Sequence, residues 1–171
     1  TAAATINKPP DTWKIGESQN ITWTYKGFVN QLVTKTVTID LSIDGGSTWD
    51  ALTATQNIGN DGSGLNGSGS YAWTIPSDIS AGTKNLIGID NQVRVTLNYN
   101  PVDPKTLVRS TSTNFTLTGV ISNITRTPDA VWLLGDTVTI SWQKKGHFGT
   151  GVTDGFVNIY YSSNSGASYD P

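Results

Sequence analysis

An internal repeat constrains the fold of this 171-residue chain more than any other feature of its sequence. Residues 6–49 share a pattern of proline, tryptophan and glycine with residues 124–169, at an offset of 119 that becomes 120 after a one-residue slip. Such self-similarity is the mark of repeated structural units. We therefore predict one complete module at residues 1–118 and the first half of a second module at 119–171, truncated or completed by another chain. The matched pairs are Pro9 with Pro128, Trp13 with Trp132, Gly16 with Gly135, Ile21 with Ile140, Trp23 with Trp142, Gly27 with Gly146, Val37 with Val157, Ile39 with Ile159, Asp44 with Asn164, and Trp49 with Tyr169.

Apolar and polar residues alternate along the first module with the period of β strands. With short strands near residues 4–7 and after Trp49, the count reaches about seven, which is typical of a sandwich. Clean alternation favours antiparallel sheets with one solvated face each, so we predict an all-β antiparallel β-sandwich. The alternating segments are residues 20–25, 36–43, 71–75, 92–99 and 114–118. Their apolar phase, with its counterpart in the second module, predicts as core residues Trp23, Ile39, Trp73, Val95 and Trp142.

Three connecting segments have distinct compositions. Residues 56–69 are rich in Gly and Asn and predict a mobile hairpin loop. Residues 76–90 form a longer crossing that has room for a single turn of helix. Between the modules, Gly119 is the only punctuation in residues 115–124, and so short a junction is not a flexible tether. We expect the two modules to stack end to end at a restricted angle.

Charge and composition exclude several classes of protein. Charged residues make up 14 % of the chain, the net charge is −2, and the 11 basic residues are scattered, so we expect no nucleic-acid partner. No apolar run approaches the roughly 20 residues of a membrane-spanning helix. The chain has no Cys and only one His, His147, which argues against disulfides and clustered metal ligands. No cofactor is expected; calcium at the junction is a weaker alternative, because residues 118–122 contain no carboxylate.

Several motifs occur in a characteristic order. They are Pro-x3-Trp-x2-Gly at 9–16, Leu-Ser-Ile-Asp-Gly-Gly-Ser-Thr-Trp at 41–49, Tyr-Ala-Trp-Thr-Ile-Pro at 71–76 and Asn-Phe-Thr-Leu at 114–117. The set resembles an immunoglobulin-like repeat of large bacterial surface proteins. It is also similar to the Ser/Thr-rich, GPI-anchored fungal cell-wall family linked to glucan assembly. The resemblance implies an immunoglobulin-like, non-catalytic structural repeat of an extracellular or cell-surface protein. Such a repeat serves as a spacer, stalk, adhesive or filament unit whose partners are neighbouring copies.

Residues 42–49 also match the Asp-box pattern, S-x-D-x-G-x-T-W, which is known from sialidase propellers. The carboxylate of Asp44 is suited to accept backbone N–H groups across a tight turn, for which Gly46 supplies the permissive dihedrals. Trp49 is expected to pack beneath the turn. The second copy has Asn in place of Asp44 and Tyr in place of Trp49 and keeps the glycine, and Asn is able to hold the same kind of turn. We interpret both copies as structural turns, with the second formed by Asn164, Gly166 and Tyr169.

An enzymatic reading has little support in the sequence. The chain has three arginines, the number that a sialidase carboxylate clamp uses, but that chemistry also needs a Glu-assisted Tyr on a much larger propeller. A generic glycosidase needs two carboxylates that flank one bond, and the single Glu17 with scattered Asp residues offers no such pair. We predict that the protein is not an enzyme and that His147 is an ordinary loop residue. The arginines are Arg94, Arg109 and Arg126.

The six tryptophans leave a second function open. Aromatic platforms stack on sugars, and Trp13 and Trp132 each precede a Gly in an opening loop, where we expect them to cap one end of a sandwich. These two are the candidate glycan contacts. The alternative function is therefore a carbohydrate-binding or partner-binding module.

Overall fold

Within the part of the chain that it describes, the computed structural model is all β and contains no helix. This confirms the predicted fold class. It describes residues 3–6, 11–26, 36–57, 67–79, 84–98, 108–128, 131–149 and 155–170. The strands are β1 (Ala3–Ile6), β2 (Thr12–Lys14), β3 (Ser18–Lys26), β4 (Thr36–Ser42), β5 (Asp50–Asn57), β6 (Gly67–Thr74), β7 (Asp78–Ile79), β8 (Lys84–Asn85), β9 (Gly88–Asn98), β10 (Val108–Thr111), β11 (Phe115–Thr118), β12 (Val120–Thr127) and β13 (Thr139–Lys145).

Two segments differ from the expected connections. The described part of the 76–90 crossing holds no helical turn; β7 and β8 pair there as a short antiparallel ladder. Residues 80–83 lie outside the described residues, as do residues 58–66 of the predicted hairpin loop. The two ends of that predicted loop belong to strands. Its first residues lie in β5, which pairs with β4, and its last residues lie in β6, which pairs with β3.

The described residues up to position 118 form two main sheets, besides the short β7–β8 ladder. One has the order β1-β3-β6, and the other has the order β2-β11-β9-β4-β5 with β10 paired to β9. Pairing is antiparallel except between β2 and β11, which run parallel. The two sheets contribute to a single hydrophobic core, an arrangement consistent with a β-sandwich.

Strict alternation along the central strands builds this core. In β3 the buried residues are Ile21, Trp23 and Tyr25, while Thr24 between them is exposed. Burial of one such large apolar side chain is worth about 1.5–3 kcal/mol. The full buried set is Ile6, Trp13, Ile15, Ile21, Trp23, Tyr25, Val37, Ile39, Leu41, Trp73, Ile75, Leu86, Val93, Val95, Leu97, Phe115 and Leu117. It includes the four core residues predicted for the first module.

Glycines in β6 make room for the aromatic rings of β3. Gly69 pairs with Trp23 and Gly67 pairs with Tyr25. A Cβ atom at either glycine would overlap the ring of its partner. The two glycines in the Gly-Ser-Gly-Ser sequence that opens β6 are therefore a steric requirement of the neighbouring strand.

The second part of the chain is organised differently. Strands β12 and β13 form a two-stranded antiparallel sheet, and residues 155–160 have no regular secondary structure and no ladder partner among the described residues. Trp142, which we predicted to lie in a core, is 36 % exposed. The physical reason is that Trp23, its repeat counterpart, is covered by a second sheet, whereas no sheet among the described residues covers β13.

Candidate structural sites: the Ser42–Trp49 turn and the module junction

The side chains of Ser42 and Asp44 organise the turn that follows β4. The hydroxyl oxygen of the fully buried Ser42 accepts the backbone N–H of Gly46 at 2.8 Å and donates to Asp44 Oδ1 at 2.7 Å. Asp44 Oδ1 accepts the backbone N–H of Thr48 at 2.8 Å, and its Oδ2 accepts the Thr48 hydroxyl at 2.6 Å. One serine and one carboxylate thus satisfy the donors on both sides of the turn.

These hydrogen bonds also set the charge of the turn. The Thr48 hydroxyl, then the Thr48 N–H and the Ser42 hydroxyl, lower the pKa of Asp44 from 3.8 to about 2. Each of these donors favours the ionised carboxylate, because a protonated acid accepts hydrogen bonds less well. Asp44 is therefore a charged structural acceptor at neutral pH, and its oxygens are already occupied by the turn that it holds.

Trp49 packs against the turn, and Arg94 lies over the indole ring of Trp49. The indole N–H of Trp49 donates to the carbonyl of Gly46 at 3.0 Å, and Gly46 has a φ of +92° that favours glycine. The guanidinium of Arg94 lies 4.2 Å from the ring centroid of Trp49. Arg94 also forms an ion pair of 2.8 Å with Asp40, its register partner on β4. The ring of Trp49 is thus packed between the turn and a paired arginine.

The same hydrogen-bond arrangement recurs 120 residues later. The Ser162 hydroxyl accepts the N–H of Gly166 at 2.7 Å, and Asn164 Oδ1 accepts the N–H of Ser168 at 2.8 Å. The amide of Asn164 then donates to the Ser168 hydroxyl at 2.7 Å, where Asp44 accepts from Thr48. Gly166 has a φ of +88°, close to that of Gly46. Tyr169, in the place of Trp49, is exposed.

The junction between β11 and β12 is closed by the loop after β13. The side-chain amide of Asn85 donates to the carbonyl of His147 at 2.7 Å. His147 Nε2 lies 3.4 Å from Asp78 Oδ2. Gly119, the single residue between the two strands, has no room for a Cβ, because the rings and methyls of Phe148 and Ile87 lie against it. His147, expected to be an ordinary loop residue, is half-buried at this contact.

Gly146 also lies at the contact between the loop after β13 and the first sandwich. It is buried, its φ is +93°, and a Cβ there would press on Ile87 and Ile15 of the first sandwich. The glycine that ends β13 therefore allows the two parts of the chain to approach closely. Lys145 extends its side chain over Gly16 in the same region.

Trp13 lies in the core and is not a candidate glycan contact, contrary to our expectation. It is 1 % exposed, with its ring 5.9 Å from that of Trp73 and 4.9 Å from that of Phe115. The cause is the parallel pairing of β2 with β11, which places Trp13 opposite Leu117. A three-residue strand gives too short a pattern for periodicity to reveal this burial.

Trp132 keeps part of its surface accessible. Its indole N–H donates to the carbonyl of Pro128 at 2.8 Å, and the guanidinium of Arg126 lies 5.5 Å from its ring centroid. A groove of about 560 Å³ is lined by Arg126 and Trp132 together with Ile124, Thr125 and Ile140. Sequence reasoning identified Trp132 but missed the groove, since its walls come from β12 and β13 together.

The remaining candidates for chemistry are engaged in local contacts or lie apart. Glu17 accepts a hydrogen bond from Gln19 at 3.4 Å on the surface of the first sandwich. Arg109 is exposed on β10, whereas Arg94 and Arg126 each lie over a tryptophan ring. No group of three or more acidic, His or Cys side chains within the described ranges is placed to hold a metal ion.

Comparisons with protein-family models, with curated proteins and with solved structures found no match to this chain. No helix within the described residues is long and apolar enough to cross a membrane.

Proposed function

We propose that this protein is a non-catalytic structural repeat of an extracellular or cell-surface protein and acts as a spacer, stalk or filament unit. The packed junction carries the proposal. Gly119 is the only residue between β11 and β12, and the loop at 146–149 contacts the end of the first sandwich through Asn85 and Ile87. A spacer needs such a fixed angle between units, because a flexible tether would not transmit length or direction.

Two further observations support tandem, immunoglobulin-like modules. The antiparallel ladder of β12 with β13 resembles that of β1 with β3, since Lys145 faces Val120 as Lys26 faces Ala3. The bridge between Tyr161 and Asp170 likewise corresponds to a pair in β4 and β5 at the Asp-box-like turn. The repeat in the sequence thus has a counterpart in local structure.

The roles of the polar residues support a non-catalytic function. Asp44 holds a turn, Arg94 pairs with Asp40 over Trp49, and His147 contacts Asp78 at the junction. Each of these groups is used by the fold itself. The extracellular or cell-surface location rests on the resemblance to immunoglobulin-like surface repeats, and neighbouring copies of the module are the proposed partners.

Distance measurements between spin labels test the proposal directly. The chain contains no Cys, so a spin label can be attached at any chosen position by substituting a cysteine there. We choose Thr24→Cys on β3 and Thr137→Cys beside β13, both exposed. A single narrow distance distribution is expected, as wide as that of the control pair Thr24→Cys with Thr111→Cys, which lies within the first sandwich. A broad distribution for the inter-module pair alone would contradict a spacer.

A carbohydrate-binding module is the second candidate, and Trp132 favours it. Its ring lies in an accessible groove beside Arg126, a setting in which a sugar ring would stack. Titration with soluble cell-wall polysaccharides, followed by tryptophan fluorescence, tests this function. Saturable quenching that is lost in Trp132→Ala and kept in the control Trp49→Phe would assign glycan binding to the groove.

A further inference from the structure

The outer edge of β13 lacks a neighbour that its counterpart possesses. Strand β3 lies between β1 and β6, with eight register pairs to β6 from Ser18–Thr74 to Tyr25–Gly67. Among the described residues, β13 pairs only with β12. An unpaired edge offers a row of backbone donors and acceptors to another strand.

Beside this edge, the apolar face of β13 is open. Ile140 and Trp142 are 37 % and 36 % exposed, whereas their counterparts Ile21 and Trp23 are 2 % and 1 % exposed. The difference does not come from the residues, which are identical in the two copies. It follows from what surrounds them: Ile21 and Trp23 have the second sheet over their face and β6 along their edge, whereas β13 has neither among the described residues.

The residues that line the groove at Trp132 can likewise be compared with their buried counterparts in the first sandwich. Trp13, the counterpart of Trp132, contacts the rings of Trp73 on β6 and Phe115 on β11. Through the sequence repeat, Trp132 and Ile140 of the groove correspond to Trp13 and Ile21 of that core. The volume of about 560 Å³ accommodates a large aromatic side chain.

We infer that the outer edge of β13 and the groove at Trp132 together form a docking site for one antiparallel β strand of β6-like sequence. The inference rests on the proposed function, because it uses the first module as the template of the second. The partner strand extends the β12–β13 sheet as β6 extends the β1–β3 sheet, a case of recognition by strand addition.

The register of β6 defines the chemistry of that partner. Gly69 faces Trp23, and Trp73, four residues later, reaches Trp13. The docked strand therefore carries a glycine opposite Trp142 and a large aromatic residue four positions later that fills the groove. It carries no charge between them, since β6 is Gly-Ser-Gly-Ser-Tyr-Ala-Trp-Thr at residues 67–74. Only glycine fits opposite the indole, because a Cβ would overlap the ring, as it would at Gly69.

A peptide with the sequence of residues 67–76 serves as the probe, with the 171-residue chain as its receptor. Hydrogen exchange of the chain is measured with and without this peptide, and with a control peptide that carries Gly69→Val. At ten times its Kd, the first peptide is expected to slow exchange of the amides at 139–145 about tenfold, by mass action. The amides at 18–26, which include the equivalents of 139–145, are expected not to change, because β6 already occupies that edge. The control peptide is expected to have no effect.

Several outcomes would overturn the inference. Equal protection by both peptides would remove the role of the glycine, and protection at 18–26 would mean that the peptide displaces β6. If residues 139–145 are already protected and the chain has the mass of a dimer, the edge belongs to an interface between copies of this chain. If polysaccharide rather than peptide protects these residues, the groove is a glycan site. A spacer function is contradicted separately, by the spin-label distances, so the two failures are distinguishable.

Discussion

At the residue scale, each large aromatic side chain of β3 has a defined contact that accounts for its burial. Trp23 and Tyr25 lie against glycines of β6, and their neighbour Thr24 points to solvent. The difference between adjacent positions is a direct consequence of the pleat, which turns successive side chains to opposite faces. Substitutions at neighbouring positions should therefore differ widely in their effect.

We expect Trp23→Ala to lower the free energy of unfolding of the first module by about 3–5 kcal/mol, the usual cost of truncating a buried Trp. The matched change Thr24→Ala should cost less than about 1 kcal/mol, since only strand propensity is altered. Urea denaturation of both variants, followed by tryptophan fluorescence and far-UV circular dichroism, measures the difference. Similar midpoints for the two variants would refute the assigned phase of β3.

Asp44 should make stability depend on pH in acid. Its pKa is lowered to about 2 in the folded protein from an ordinary value of 3.8. The stabilising effect of the carboxylate is therefore complete above pH 3.8 and is lost as the pH falls through 2. Asp44→Asn, which reproduces Asn164 of the second turn, removes this charge.

The measurement is the thermal midpoint of wild type and Asp44→Asn at several pH values between 5 and about 2. The wild-type midpoint should fall towards that of the variant over this interval, and the gap should be constant above pH 5. Parallel curves across the whole range would show that Asp44 does not have the lowered pKa.

At the element scale, features that depend on local sequence pattern could be predicted, whereas features that depend on long-range strand pairing could not. The phases of β3, β4 and β9 follow from two-residue alternation, which is a local property of the sequence. The burial of Trp13 follows from a parallel pairing with β11, about a hundred residues away, and no local pattern encodes it. Trp142 is the opposite case. Strand β13 has the alternation of a core strand, but its apolar face is buried only where a second sheet covers it.

Trp13 and Trp132 offer a matched test of this difference between elements. Trp13→Ala should destabilise the first sandwich by about 3–5 kcal/mol, because it leaves a cavity between Trp73 and Phe115. Trp132→Ala should shift the same transition by less than about 0.5 kcal/mol, since its ring lies outside this core. Thermal unfolding by circular dichroism compares them. A larger effect of Trp132→Ala would indicate that the β12–β13 part of the chain contributes to the core of the first sandwich.

The turn at Ser42–Trp49 could be predicted from the sequence in more detail than the groove at Trp132 or the junction. A tight turn is held by residues within an eight-residue window, so its hydrogen bonds are local and its motif is readable. The groove at Trp132 and the closed junction were not readable in this way. Each is assembled from strands or loops distant in sequence, such as Asn85 with His147.

At the scale of the whole molecule, the relation between the two parts depends on a small set of contacts. The ring of Phe148 and the side chain of Ile87 both lie against Gly119, and the loop is bound to Asn85 by hydrogen bonds. Rigid arrays of domains depend on such interfaces, because relative motion is the default for small ones. The stiffness of this junction should therefore respond to a single side chain.

We expect Phe148→Ala to broaden the spin-label distance distribution between Thr24→Cys and Thr137→Cys. Removal of the ring leaves the packing around Gly119 incomplete and frees the angle between the parts. Phe156→Ala is the control, because it deletes the same ring from a fully exposed position in the second part. The control distribution should stay narrow. If both variants keep the wild-type width, the hydrogen bonds of Asn85 rather than the ring set the angle, and Asn85→Ala should then broaden it.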